Sequence, residues 1–354
     1  MVDRKRVGIV CTTGARERYF LPDAVARLET VADVVWLEFD GPSRVSGPPP
    51  DDAASVARLA EFVPGLDALI VSYGSPRVTD DILGAAPGLV VVGDTHGDRS
   101  GARIDVAAAA RRGILAVDTT NGSSDPVAEW ALALILIGLR NAGAYFRRLI
   151  AGDVLWPDRD VLLTDPGFLN GELTGKTVGL IAAGNIGRRL VELLAPFHVN
   201  VLVYDPHAPI ELADAYGFEF ASLPVVLAES DAVVCLVPLT SETRGMLGAE
   251  QFAALRDGAV FVNVSRGAVV DTDALVAALE GGRFIACLDV VEPEPLAVES
   301  PLRAMPNVFL SPHIAGVTAG AEPRFFDLMI DEVTRCLTGR RPHYPLVPRE
   351  PTGD

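Results

Sequence analysis

Three polar side chains stand just past short apolar runs in the last third of the 354-residue sequence. Arg266 follows AVFVNV in NVSRGAVVD, Glu294 follows FIACLDV in DVVEPEPL, and His313 follows NVFLS in SPHIAGVT. An arginine offers a rigid, always charged fork that grips a carboxylate and polarises an adjacent carbonyl. A histidine titrates near neutrality, so it can give a proton to an oxygen and take it back. A carboxylate beside the imidazole orients the ring and steadies its protonated form. Together they suit proton-coupled chemistry on a small oxo or hydroxy acid. Taken singly, each has a plainer reading: a salt-bridging turn residue, a solvated acid in a proline loop, a hydrogen-bonded loop histidine. Of the other histidines, only His96 competes for the same role.

Such a set works only if the runs before it are neighbouring parallel strands, because ligands of an open parallel sheet gather beyond the strands' carboxyl ends. The sequence supports that arrangement. Short β-branched runs alternate with Ala/Leu-rich stretches of helical length, the pattern of an α/β protein with parallel sheets. One series comprises VGIVC (7–11), VVWLEF (34–39), ALIVSY (68–73), LVVVG (89–93) and ILAVD (114–118), interrupted by the proline-rich 41–52 loop. A second comprises TVGLIA (177–182), VNVLVYD (199–205), AVVCLV (232–237), AVFVNV (259–264), FIACLDV (284–290) and NVFLSP (307–312), six strands in all. Between the series, residues 124–149 read as one long helix opened by Ser124, Asp125 and Pro126, followed by an irregular stretch around LWPDRDVLLTDPGF.

The strand TVGLIA runs into Ala-Gly-Asn-Ile-Gly and then a helical pattern, so a glycine-rich turn sits where a strand feeds a helix N-terminus. Unpaired N–H groups and the positive end of the helix dipole suit a pyrophosphate there. Gly184 and Gly187 allow close backbone approach, whereas Ala182 takes the first of the three glycine places in Gly-x-Gly-x-x-Gly and is expected at negative φ. Asp205 closes the next strand 18 residues after Gly187. That agrees with the spacing of roughly 20 residues to an acid that binds adenosine ribose. Its carboxylate would repel a 2′-phosphate, which favours NAD over NADP, although His207 and Arg188 lie near. Asp289 closes a later strand and is expected to bind the nicotinamide carboxamide. A dinucleotide and an acid substrate in one chain imply hydride transfer.

Hydrophobic residues make up 49% and charged residues 22%, so globular cores are expected and wholesale disorder is not. A formal net charge of -17 repels nucleic acid and anionic lipid. The apolar run from Trp130 to Leu139 is shorter than the ~20 residues that span a bilayer. The N-terminus lacks the apolar stretch of a signal peptide. The cysteines Cys11, Cys235, Cys287 and Cys336 lie far apart without Cys-x-x-Cys spacing, which argues against zinc and disulfides and for a reduced, cytoplasmic setting. No metal is expected.

In GKTVGLIAAGNIGRR, PLTSETRGMLG, NVSRGAVVDTDALVAAL, LDVVEPEPL and SPHIAGVT the sequence resembles the D-isomer-specific 2-hydroxyacid dehydrogenases, from about Leu69 to Leu337. The resemblance implies two Rossmann-like, doubly wound parallel-sheet domains. An NAD-binding domain (120–314) is inserted into a discontinuous, flavodoxin-like substrate domain (1–119 with 315–354), and catalysis occurs between them. The family's catalytic arginine, glutamate and histidine fall on Arg266, Glu294 and His313. Cofactor contacts fall on Gly184, Asn185, Ile186, Gly187, Asp205, Pro238, Thr243, Val264, Ser265, Asp289, His313 and Gly316. Substrate contacts fall on Tyr73, Gly74, Ser75, His96, Gly97 and Arg266, with Arg99 and Ser100 as further candidates. A homodimer is implied.

Three departures stand out. Ala182 replaces a glycine, as in formate dehydrogenases, yet those carry glutamine where this chain has Glu294. Leu236 replaces a histidine common near the cofactor. The substrate loop reads VVGDTHGDRSGARID and is two residues longer than the family's usual Gly-x-Gly-Val-Asp form. Two other readings stay open: a same-fold enzyme acting on an unusual acid, such as a phosphonate or a specialised-metabolism intermediate, and a non-catalytic NAD-sensing scaffold of the corepressor type.

Overall fold

The computed structural model describes residues 4–43, 48–96, 101–153 and 171–348. The LWPDRDVLLTDPGF stretch and Gly97, Arg99 and Ser100 lie outside them. The chain forms two compact units, Met1–Ser123 with Ala319–Asp354, and Ser124–Thr318.

In the first unit β1 (Arg6–Thr12), β2 (Asp33–Phe39), β3 (Ala68–Val71), β4 (Val91–Asp94) and β5 (Leu115–Asp118) form one parallel sheet in the order β2-β1-β3-β4-β5. β1, β3 and β4 are buried along nearly their whole length, the mark of strands covered on both faces. Alternate residues supply two cores. Ile9 and Ile70 pack with Phe326 and Met329 of the helix Ala321–Leu337. Val10, Leu69 and Val71 pack with Leu59 and Leu83 on the other side. The strand order reverses between β1 and β3, so their carboxyl ends form this unit's switch point.

The second unit holds β6 (Thr177–Ile181), β7 (Asn200–Tyr204), β8 (Glu219–Phe220), β9 (Ala232–Cys235), β10 (Val260–Asn263), β11 (Ile285–Leu288) and β12 (Val308–Leu310). They form a parallel sheet in the order β12-β11-β10-β9-β6-β7-β8, the doubly wound dinucleotide arrangement with its switch point between β6 and β9. The sheet has seven strands where six were expected. β8 is two residues long, too short for any alternation to announce it.

The helix expected across 124–149 is two helices, Ser124–Leu139 and Ala142–Ile150. Asn141 takes φ 45, ψ 38 between them, a left-handed conformation that asparagine tolerates better than most residues. The first helix buries Leu134 and Ile135 in the core beside β10 and β11. A Cβ on its Gly138 would lie 2.3 Å from Val260 Cγ1, so the glycine lets the helix sit close to the sheet. Thr120–Leu139 is long and apolar enough to cross a membrane by composition, but half of it is buried within the protein.

Candidate active site

The sheet order puts Arg266, Glu294 and His313 beyond the carboxyl ends of three adjacent strands, β10, β11 and β12. His313 Nδ1 lies 2.6 Å from Glu294 Oε1, with both side chains about two-fifths exposed. The pair is a direct hydrogen bond open to solvent. Arg266 occupies an extended residue at the head of the turn Gly267–Val269, and its Nη1 donates to the Ser265 carbonyl at 2.6 Å.

Buried polar groups build these loops. Asn263, 1% exposed, accepts from the Ser265 N–H and hydroxyl, and its amide donates to the Arg266 carbonyl at 3.1 Å. Asp289, 2% exposed, accepts from the Ser311 hydroxyl at 2.6 Å and from the N–H groups of Ile314 and Ala315 at 3.0 and 2.9 Å. It thereby fixes the segment that carries His313, so any contact with a carboxamide must share these oxygens. Gly267 meets the backbone of Val291 so closely that a Cβ would lie 2.0 Å from its carbonyl carbon. That contact joins the Arg266 turn to the segment leading to Glu294. The sequence reading missed Asn263 and Gly267. The only available signal was their place inside NVSRGAVVD.

At the β6 end Ala182 has φ 91, contrary to the negative value expected. The reason is local closure. Ala182 N–H donates to the Tyr204 carbonyl at 2.8 Å while the Ala182 carbonyl lies 2.7 Å from where a Gly187 Cβ would stand. The turn is therefore folded back on its own helix, Asn185–Leu194, which Gly184 caps in an extended conformation. Nothing lies within 4 Å of a Cβ on Gly184, and that glycine is exposed. Asn185 and Ile186 follow in the first turn, Asn185 accepting from Arg188. Asp205 is occupied by its own chain: Oδ2 accepts from Ala183 N–H at 2.8 Å, and Oδ1 from His207 and Ala208 N–H at 2.9 and 3.1 Å.

A cavity of about 340 Å³ opens beside this acid between Tyr204, Pro206, Ile210 and Phe220. An uncovered helix N-terminus, a glycine open to solvent and an acid next to a cavity fit the pyrophosphate and ribose of NAD. Across the switch point, Thr243 donates to the Pro238 carbonyl at 2.6 Å and exchanges bonds with Thr240, which closes that loop. Val264 and Ser265 are buried at the β10 end, and Gly316 is half-buried three residues beyond His313. Leu236 is half-buried beside Gly187. Another cavity, of about 610 Å³, lies instead at the amino-terminal edge, around Thr177, Asn200 and Glu219, away from all of this chemistry.

In the first unit Tyr73, Gly74 and Ser75 follow β3, and His96 follows β4. Gly74 has φ 77, and a Cβ there would meet Thr12 Cγ2 at 2.3 Å, so only glycine serves. Asp94 is buried against Arg103, Nη1 to Oδ1 3.2 Å, and burial pushes its carboxyl up to about 6 against the pull of that guanidinium. All four cysteines are buried free thiols. Burial pushes Cys11 up to about 12 and Cys235 to about 11, which leaves them poor nucleophiles. No group of metal-ligating side chains occurs among the described residues.

Residues 132–315 match the family described as D-isomer specific 2-hydroxyacid dehydrogenase, NAD binding domain. A glyoxylate reductase of Aeropyrum pernix is 34% identical over 332 residues, 92% of this chain and 92% of that protein. The chain belongs to this dehydrogenase family. A D-3-phosphoglycerate dehydrogenase of Archaeoglobus fulgidus is 33% identical over 79% of this chain, and the match covers 51% of that protein. The chain thus spans about half the length of the D-3-phosphoglycerate dehydrogenases it matches. Among solved structures, the apo form of Rhodotorula graminis D-mandelate dehydrogenase superposes with TM-score 0.78 at 26% identity, covering 97% of both chains. The family's two-sheet α/β architecture is the one described above.

Proposed function

We propose that this protein is an NAD-dependent dehydrogenase that moves a hydride between nicotinamide and carbon 2 of a small 2-hydroxy or 2-oxo acid, D-selective as its family name states. The observation that carries the reading is the 2.6 Å contact between His313 and Glu294 at a strand edge shared with Arg266. Glu294 occupies Nδ1, which leaves Nε2 to deliver a proton to the oxygen on carbon 2. Arg266 grips the substrate carboxylate. The turn Gly184–Gly187 and its helix N-terminus take the pyrophosphate. Pro238, Thr243, Val264, Ser265 and Gly316 line the rest of the cofactor, which supplies the hydride acceptor or donor when bound.

Asp205 takes the ribose hydroxyls and disfavours a 2′-phosphate, so NADH is preferred over NADPH. The names glyoxylate reductase and D-3-phosphoglycerate dehydrogenase, carried by relatives, fit an acid of this class. Tyr73, Gly74, Ser75 and His96 contact the acid from the first unit. We place the protein in the cytoplasm as a homodimer. Phe146 and Ile150, 63% and 70% exposed on the helix Ala142–Ile150, are an apolar face that a second copy would cover.

A panel of 2-oxo acids followed by NADH absorbance tests the activity, and repetition with NADPH tests the preference. His313→Ala should lower turnover by roughly 10²- to 10⁴-fold with NADH affinity kept. Near-normal turnover would remove His313 from the chemistry.

A further inference from the structure

The first unit carries an aromatic and polar cluster that the proton-transfer site does not use. Tyr73 and His96 stack with centroids 4.5 Å apart and planes 26° from parallel. Tyr19 and Phe325 each approach the imidazole to 4.7 Å. Those two are buried, whereas Tyr73 and His96 are half-buried, so part of the stack is exposed although the His96 Nε2 atom is buried. Its place is the switch-point side of the sheet: Thr12, ending β1, donates from its N–H to the Tyr73 carbonyl at 2.9 Å. An open parallel sheet receives its ligand there.

Residues 93–96 and 103 together aim one ring. His96 N–H donates to Asp94 Oδ1 at 3.0 Å, and its carbonyl accepts from Arg103 Nη1 at 3.0 Å. The Asp94–Arg103 pair therefore clamps both backbone groups of His96. On the ring itself, Nδ1 meets Thr95 Oγ1 at 2.7 Å and Ser72 Oγ at 3.2 Å. Arg103 Cζ lies 5.4 Å from the Tyr73 ring centre, and the Arg103 carbonyl accepts from Val78 N–H at 2.8 Å, tying this segment to the one that carries Tyr73. A buried ion pair contributes little net stability against well-packed apolar groups, so its return here is positional. Two flat rings are held in fixed planes, and among the described residues Arg103 is paired with Asp94 and Arg18 with Glu322.

We propose that Tyr73 and His96 are specificity-determining residues that receive the substituent on carbon 2 of the acid, and that this substituent is a flat aryl or arylmethyl group. The inference rests on the dehydrogenase reading above. Stacked π faces favour offset or edge-on contact with a further ring, whereas a phosphorylated chain needs unmatched cations.

The test compares kcat/KM for phenylglyoxylate and phenylpyruvate with that for glyoxylate and 3-phosphohydroxypyruvate, using the full chain with NADH. The better aryl acid should exceed glyoxylate by about 10²-fold, the upper range that apolar pocket contacts provide. Tyr73→Leu should lower the ratio of the aryl value to the glyoxylate value about tenfold or more, while Tyr73→Phe keeps that ratio. A general loss of fold or activity would lower both substrates together, so the ratio isolates recognition. Preference for glyoxylate or the phosphorylated acid, or an equal fall for both substrate types in Tyr73→Leu, overturns the inference and leaves the dehydrogenase reading intact. Reduction of none of these acids while NADH binds overturns both.

Discussion

Asp205 and Asp289 occupy equivalent places, each one residue beyond a strand end of the same sheet, β7 for one and β11 for the other. Each accepts three hydrogen bonds from its own chain. They differ in burial. Asp289 is 2% exposed and fixes the His313 segment from inside, while Asp205 is half-buried beside an open cavity. Both acids build a loop first, and the exposed one has lone pairs left to offer a ligand. The same contrast separates the glycines, Gly267 pressed against backbone and Gly184 facing open space.

The glycines break or sharpen that contrast most forcefully. Gly267→Ala puts a methyl group 2.0 Å from the Val291 carbonyl carbon, where backbone must move. It should cost about 3 kcal/mol and displace Arg266 from the Glu294 segment, abolishing turnover before the fold is lost. Gly184→Ala should leave stability within about 0.5 kcal/mol and weaken NADH binding instead. Urea unfolding and NADH titration separate the two. Equal destabilisation by both would show that the edges are built alike.

The aspartates come next. Asp289→Ala orphans two backbone N–H groups and the Ser311 hydroxyl. Because the site is buried, the loss should be about 2–3 kcal/mol, together with slowed turnover as His313 loses its anchor. Asp205→Ala, with water at hand to replace it, should cost about 1 kcal/mol. Its signature lies in cofactor choice, with a narrower gap between NADH and NADPH. If Asp205→Ala destabilises more than Asp289→Ala, burial is not what separates them.

Much of the architecture was legible because buried parallel strands announce themselves as apolar runs. Every strand but β8 overlaps a run marked in the sequence, and Arg266, Glu294 and His313 were visible as polar residues just after such runs. Illegible were the features set by contacts between distant segments. Nothing in the local sequence says that Gly267 meets Val291, or that Asn263 turns its side chain under Arg266. Asn141 was overlooked because flanking apolar residues keep helical spacing through the break. The domain edges expected at 119/120 and 314/315 fall four residues later, at 123/124 and 318/319.

Ala182 gives the smallest effect and the sharpest test of how the glycine turn is held. Its φ of 91 strains an L-residue by about 1–2 kcal/mol, which Ala182→Gly would relieve. Against that stand about 0.4–1 kcal/mol of added chain entropy in the unfolded state and part of the ~0.8 kcal/mol of a buried methyl. That methyl packs only partly against the core around Ile181 and Val233. The balance favours the glycine by about 0.5 kcal/mol, a small rise in the urea midpoint at unchanged slope. NADH affinity should not move, because Gly184 and the helix N-terminus keep their places. A lower midpoint would mean that the methyl contact outweighs the strain. A change in NADH affinity would mean that the alanine helps set the geometry of the phosphate turn, which would bring this edge closer in kind to the one that Asp289 builds.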